Sequence, residues 1–399
     1  MRRFIKLWPV LLFGLPVIGL VGSMNTALAI PAWARKTKMA CTDCHFGGTN
    51  KLTLTGREFQ ARGYTTKDAE IQKEPQELNL GNYISIGAEF AFEANKDEDP
   101  STSFDVEALS IHSGGPLYER FAYFFEFVLH ERGEETSADG GQLDTATRSK
   151  LAEAYLLYNS NPQSNDFWFA RVGQIMPRLI FAGGAGARLG VSQPSVWGAD
   201  VGDGNLFTPG DRSYGLTAGI SSNSGLMVEA GITNGGGGNA RPNAPETNNA
   251  KDIFASVMQR LDDDGSFVGA YAYKGTFHVL EPPIRQDNFT RFALIGELAR
   301  ENFVLSGAYT WGRNELAAGG NRNPTGYYLE GGFNINPTST VFARYDNFDP
   351  DLATKQTGWT LGWSQRLSSI GRFAIAGFET RQSGVPTTRG ITAELNWMF

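Results

Sequence analysis

From about residue 78 to its end the chain repeats one pattern, a run of alternating apolar and polar positions followed by a turn. The clearest run covers 80–94. Leu80, Ile84, Ile86, Ala88, Phe90 and Phe92 share one parity, while Ser85, Glu89 and Glu93 share the other. A period of two places apolar groups on one face of a β-strand and polar groups on the opposite face. The stretch 226–234 reads the same way, with Leu226, Val228, Ala230 and Ile232 set against Glu229 and Thr233. So do 326–335 and 389–399. Sixteen segments of this kind begin near 78, 103, 117, 147, 166, 212, 226, 252, 267, 289, 303, 326, 340, 357, 371 and 389.

The connections sharpen the picture. Gly114-Gly115-Pro116, 160–165, 221–225, 262–266, 300–302, 336–339 and 368–370 read as short turns, and the intervening 133–146, 177–211, 234–251, 276–288 and 313–325 as longer loops. Short turns at one end, longer loops at the other and an even strand number are the signature of an outer-membrane β-barrel. The predicted fold is therefore all-β: a transmembrane antiparallel barrel of about sixteen strands over 78–399. Loop 177–211 is long and Gly-rich and carries Trp197 and Phe207; folding into the lumen and lying outside as a flap are both open to it.

The start of the chain has a different character. Arg2, Arg3 and Lys6 precede an apolar stretch from Leu7 to Val21, and Ala27-Leu28-Ala29 offers a small-x-small cleavage site. This predicts a secretory signal peptide over 1–29. The apolar stretch is too short for a spanning helix and contains Pro9 and Pro16.

Composition agrees with a barrel. The chain holds 48 glycines and 27 phenylalanines in 399 residues, suiting closely packed strands and aromatic bands at two membrane interfaces. A net charge of −7 speaks against a nucleic-acid partner.

Between leader and barrel, residues 30–77 contain the two cysteines of the chain, in Cys41-Thr42-Asp43-Cys44-His45. The spacing C-x-x-C-H is the attachment signal for a c-type haem. The thiols form thioethers with the porphyrin, and the adjacent histidine ligates iron as the proximal ligand. A redox dithiol would need a thioredoxin-like context, and a disulfide closing so small a loop gains little. One covalent haem c on Cys41, Cys44 and His45 is expected. From His45 to Glu77 there is no further His or Met, so the second axial position falls to Met39, to the barrel wall, or to no residue. A segment this short buries little core of its own and is expected in the lumen or at the periplasmic face.

On the first three predicted strands the inward parity carries Glu89, Glu93, Asp105, Glu107, Glu126 and His130. Carboxylates with an imidazole suit a divalent first-row cation such as Fe(II), although porin lumens are ordinarily charged. His130 is also a candidate second haem ligand. His112 falls on the apolar parity unless its strand carries a bulge, and His278 falls in a loop.

The stretch Pro31-Ala32-Trp33-Ala34-Arg35-Lys36-Thr37, then CTDCHF, then Leu52, Leu54, Gly56, Arg57, Phe59 and Gly63-Tyr64, resembles the fused monohaem cytochrome–porins of iron-oxidising bacteria. The resemblance is specific over 31–65 and covers the rest by architecture. It implies an outer-membrane Fe(II) oxidase, with Fe(II) as electron donor and a periplasmic c-type cytochrome as acceptor. It carries over Cys41, Cys44 and His45. Two further functions stay open: a cytochrome–porin exchanging electrons with another donor or acceptor, and a solute porin with a haem-bearing plug.

Overall fold

The computed structural model describes residues 31–69, 83–95, 101–131, 151–199, 201–202, 204–235, 249–279, 285–316, 319–351 and 354–399. The expected leader and loop 133–146 lie outside these residues, as do 70–82 and most of 234–251.

The first eight strands are β1 (Ile84–Asn95), β2 (Thr102–Tyr118), β3 (Phe121–Glu131), β4 (Leu151–Asn159), β5 (Phe167–Ile175), β6 (Ser213–Ser221), β7 (Leu226–Thr233) and β8 (Asp252–Arg260). The second eight are β9 (Phe267–Val279), β10 (Arg285–Ala299), β11 (Phe303–Glu315), β12 (Thr325–Asn336), β13 (Ser339–Asp349), β14 (Gln356–Arg366), β15 (Gly371–Gln382) and β16 (Thr388–Met398). Each pairs antiparallel with its sequence neighbours, and β1 pairs with β16 from Gly87↔Met398 to Asn95↔Gly390. The wall closes. A two-residue piece, Asn321–Arg322, only extends the β11 ladder.

Alternation decides which face meets what. On β10 the inward residues Asp287, Phe289, Arg291, Ala293, Ile295 and Glu297 are buried, whereas Leu294 is 54% exposed on the outer face. Exposed outer aromatics gather toward both ends. Phe121, Trp168, Phe303, Phe333 and Phe399 lie toward the short turns, and Phe104, Tyr309, Tyr327 and Trp359 toward the loops. Two such girdles flank the apolar band of a membrane-spanning barrel.

Several expected boundaries move. Gly114-Gly115-Pro116 is not a turn: β2 runs on to Tyr118, with Pro116 beside a bulge, where proline's missing N–H costs little. Loops expected at 276–288 and 313–325 are largely strand, because β9 pairs with β10 up to Val279↔Arg285 and β11 pairs with Asn321–Arg322. His278 therefore lies on a strand, opposite Gln286, on the outward parity between buried Phe277 and Val279.

Loop 176–212 lies inside the barrel. It contains α4 (Arg178–Ile180), a wide turn over Phe181–Ala185 and α5 (Ser195–Gly198). Leu179, Ile180, Val196, Trp197 and Phe207 pack against the inward Phe254, Tyr271, Tyr273, Phe289 and Tyr328. Where β5 turns inward, Glu229 accepts from the Arg178 backbone at 2.9 Å and pairs with Arg171, which also donates to the Met176 carbonyl at 3.0 Å. Arg322 donates to the Val201 and Gly202 carbonyls, both at 2.8 Å. Apolar contact and buried charge pin the loop to the inner face of the wall.

Candidate functional site in the barrel lumen

The segment 31–69 forms α1 (Pro31–Thr37), α2 (Cys41–Cys44) and α3 (Leu54–Ala61). It spans the short-turn end of the barrel. On one side the Trp33 indole donates to the Gly114 carbonyl at 2.9 Å and stacks on Tyr64 at 4.4 Å. Phe59 and Tyr64 continue into a cluster with Ala122, Tyr155, Leu157 and Phe167. Across the lumen, Arg57 pairs with Glu297 at 2.8 Å and donates to the Gly265 carbonyl in the turn before β9. Lys51, 1% exposed, also reaches Glu297, at 2.6 Å, and donates to the Ala182 carbonyl of the inner loop.

Gly47-Gly48 makes the closest approach to the wall. A Cβ on Gly47, whose φ is +52°, would stand 2.2 Å from Asn334 Oδ1 and Thr340 Oγ1. One on Gly48 would meet the Ser364 and Thr338 carbonyls at 2.6 Å. Without side chains, Gly48 instead accepts from Ser364 Oγ at 2.6 Å, and its N–H donates to Thr340 Oγ1 at 3.2 Å.

Cys41 and Cys44 are three apart on α2, which sets both thiols on one side of the turn. Asp43 accepts the Ala40 N–H at 2.8 Å, the His45 N–H returns to the Cys41 carbonyl at 2.8 Å, and His45 then bridges antiparallel to Leu52. Both cysteines are buried free thiols. Burial pushes the Cys44 thiol up to about 12, with the Asp43 carboxylate adding to it. Burial likewise raises Cys41, against the pull of Arg366. A redox-active dithiol needs the opposite shift. Burial, then the nearby Arg366 guanidinium, drives the His45 imidazole down to about 3, so it stays neutral, the ligating form. Its Nδ1 is buried and short of a well-formed hydrogen bond, with the Asn50 backbone beside the ring. These three side chains could hold a porphyrin and its iron.

The surroundings are cationic, which the sequence reading missed. Arg366 lies against Cys41 and donates to the Thr49 carbonyl at 3.1 Å. Arg372 donates to Ser364 Oγ at 3.0 Å and pairs with Glu394 at 3.2 Å. Arg188 of the inner loop lies in electrostatic range of Glu394, Glu89 and Arg372. Each of the three guanidiniums has one buried nitrogen without a hydrogen-bond partner: Arg188 Nε, Arg366 Nε and Arg372 Nη2. Arg62, Arg171, Arg178 and Arg291 share that feature elsewhere in the barrel, so what would suit an anion here is the positive charge of Arg366 and Arg372 beside His45. Strand parity places Arg366 and Arg372 inward, but only the closed barrel sets them beside His45.

The six predicted inward residues do not converge. Glu89 comes up against Glu394 beneath Arg188 and Arg372. Glu126 lies 3.6 Å from Arg212 of the inner loop, which also holds Glu153 at 2.8 Å. Glu93, Asp105 and Glu107 stay on the inward parity of β1 and β2, with Asp105 opposite the inward Ala91 and Glu107 at a bulge facing Glu89. His130 is a correction: a bulge at Leu129 sets it opposite Leu109, whereas the inward Ser110 pairs with Val128, so His130 turns to the outer face. The bulge at Glu107 does the reverse for His112. Beyond it Ser110 and His112 point inward, His112 between Ser85 and Glu126. Among the described residues, no three His, Cys, Asp or Glu side chains are grouped to hold a metal ion.

No family model matches this chain, and no curated protein matches it in sequence. Its shape is shared widely. The anion-selective porin of Comamonas acidovorans superposes with a TM-score of 0.55 at 12% identity, covering 79% of this chain and 98% of that one. OmpT of Vibrio cholerae, expressed in the outer membrane, gives 0.54 at 12% identity over 83% of this chain and 100% of its own. OmpF of Salmonella typhi, in complex with daunomycin, gives 0.54 at 12% over 79% and 97%. Likeness at such identity is one of fold. The chain is a sixteen-stranded barrel of the outer-membrane porin type, with a C-x-x-C-H segment across its short-turn end.

Proposed function

We propose that this chain is an outer-membrane electron-transfer barrel that holds one covalent c-type haem in its lumen and takes electrons from extracellular Fe(II). The observation that carries the reading is the setting of C-x-x-C-H: two buried free thiols three apart on α2 and the adjacent buried histidine, held across the short-turn end of the barrel with Arg366 and Arg372 beside them. Cys41 and Cys44 would hold the porphyrin and His45 its iron, with Arg366 and Arg372 beside His45 as cations for its carboxylates. A haem so held supplies reversible one-electron chemistry.

The chain's own residues supply access and orientation. Short turns mark the periplasmic end in barrels of this type, which puts the C-x-x-C-H segment within reach of a periplasmic c-type cytochrome as acceptor. Inward acids descend from the loop end along β1 and β2: Glu93, then Asp105 and Glu107, then Glu89 beside Glu394. Negative charge along a confined path concentrates a cation. Fe(II) held there would give one electron to the haem, which would pass it to the periplasmic cytochrome, and the Fe(III) formed would leave on the outer side.

Anaerobic stopped-flow mixing of the purified holoprotein with Fe(II) tests the reading. Haem bands moving to the reduced form at a rate that rises with Fe(II) support it, and Glu89→Gln with Glu93→Gln slows that phase but not reduction by dithionite. Haem reducible by dithionite and inert to Fe(II) selects another donor. Ion conductance through the lumen with an inert haem selects a solute porin.

A further inference from the structure

A haem held by His45 has a second axial position, and the segment after His45 offers neither His nor Met. The chain has four histidines and seven methionines. His130 and His278 lie on the outward parity. Met1 and Met24 precede the described residues. Met176 is buried at the start of the inner loop, and Met227 and Met258 pack against apolar clusters on the β7–β8 wall. Met39 adjoins α2 itself. Two inward side chains remain on the barrel wall, His112 and Met398, and they meet at one place. A Cβ on Gly87 would stand 3.2 Å from Met398 Cε and 3.5 Å from His112 Nε2. Glycine at 87 is what lets residues from β2 and β16 approach over β1.

That place borders the C-x-x-C-H segment on two sides. The N–H of Ala32, in α1, donates to Ser85 Oγ at 3.2 Å, and Ser85 is the cross-strand partner of His112. Trp33 binds Gly114, further along the same strand. Cys41 Sγ lies 4.0 Å from the Ser369 carbonyl, and the next residue, Ile370, accepts the Met398 N–H at 2.7 Å. Ser110 Oγ holds His112 Nε2 at 2.7 Å, which leaves Nδ1 as the nitrogen that could ligate, and Glu126 stands opposite on β3. A polar partner on one ring nitrogen fixes the tautomer and raises the basicity of the other.

We propose that His112 is the second axial ligand of the haem iron, supplied by the barrel wall through the β2 bulge, with Met398 packing beside it. The proposal rests on the haem reading above. It makes the barrel part of the redox centre: the wall sets the iron's spin state and potential, and a segment too short to complete a cytochrome is completed by its container.

Spectra of the full-length holoprotein test it, with haem stoichiometry measured first by mass spectrometry. A chain without covalent haem overturns the haem reading itself. With one haem present, wild type is low-spin with two nitrogen ligands by electron paramagnetic resonance. His112→Gly becomes high-spin and returns to low-spin on adding imidazole, which shows that the folded site survives the substitution. His112→Met raises the midpoint potential, since a thioether ligand favours ferrous haem. Met398→Leu and His130→Ala keep the wild-type spectrum. A wild-type haem that is already high-spin, a low-spin His112→Gly without imidazole, or loss of the low-spin state in Met398→Leu each overturns the proposal.

Discussion

The two sides of the lumen are built from opposite materials. Between β8 and β12 the inward wall is aromatic, and the inner loop packs on it through Leu179, Ile180, Trp197 and Phe207. There the Trp197 indole and the Tyr328 hydroxyl both donate to the Gly183 carbonyl, at 2.7 and 2.5 Å. From β14 through β16 to β2 the inward wall is charged, with Arg366 and Arg372 near His45 and Arg188 of the inner loop near Arg372, Glu394 and Glu89. One side is filled by packed aromatic rings. The other carries arginines, with Arg366 and Arg372 close to His45, a setting that would suit an anionic group. The contrast teaches that the barrel divides its interior into a part packed by aromatic rings and a part lined by charge beside the C-x-x-C-H segment.

The largest expected effect falls on the charged side. Cys41→Ala combined with Cys44→Ala removes covalent haem completely, seen as loss of haem-linked peroxidase staining after denaturing electrophoresis, while the barrel still migrates as a folded, heat-modifiable species. Misfolding of the double variant would mean that the two sides are not separable.

On the aromatic side, Trp197→Ala removes a side chain that is fully buried. A loss of about 3–5 kcal/mol is expected from the cavity and the lost contacts, measured by denaturant titration, with the haem spectrum unchanged. A large spectral shift would show that the inner loop serves the redox site as well.

Arg372→Gln is expected to lower the haem midpoint potential, because removing a buried positive charge favours the oxidised iron. The change is on the order of 1 kcal/mol, read by redox titration, with haem stoichiometry unaltered. An unchanged potential would place Arg372 outside the haem's field.

The smallest effect is at the border. Glu126→Gln costs less than about 1 kcal/mol, since Arg212 is partly exposed and keeps Glu153 at 2.8 Å. A larger loss in denaturant titration would make Arg212 a second clamp on the inner loop.

The amino-acid sequence by itself determined the strands, their alternation, the closed barrel and the cysteine pair with its histidine. These follow from local rules: a two-residue period, turn chemistry and a fixed spacing. Three matters were decided only by the tertiary structure. Loop 176–212 could pack inside or outside until the inward aromatics of β8–β12 offered it a surface. Arg366 and Arg372 are cross-strand partners of one hairpin, but only the tertiary fold sets that hairpin beside α2 and brings Arg188 of the inner loop near Arg372. The histidines exchanged sides: His130 went outward and His112 inward through bulges at Leu129 and Glu107. A bulge adds one residue and reverses every parity beyond it. Its position is fixed by how neighbouring strands pair, which no periodicity within a single strand encodes.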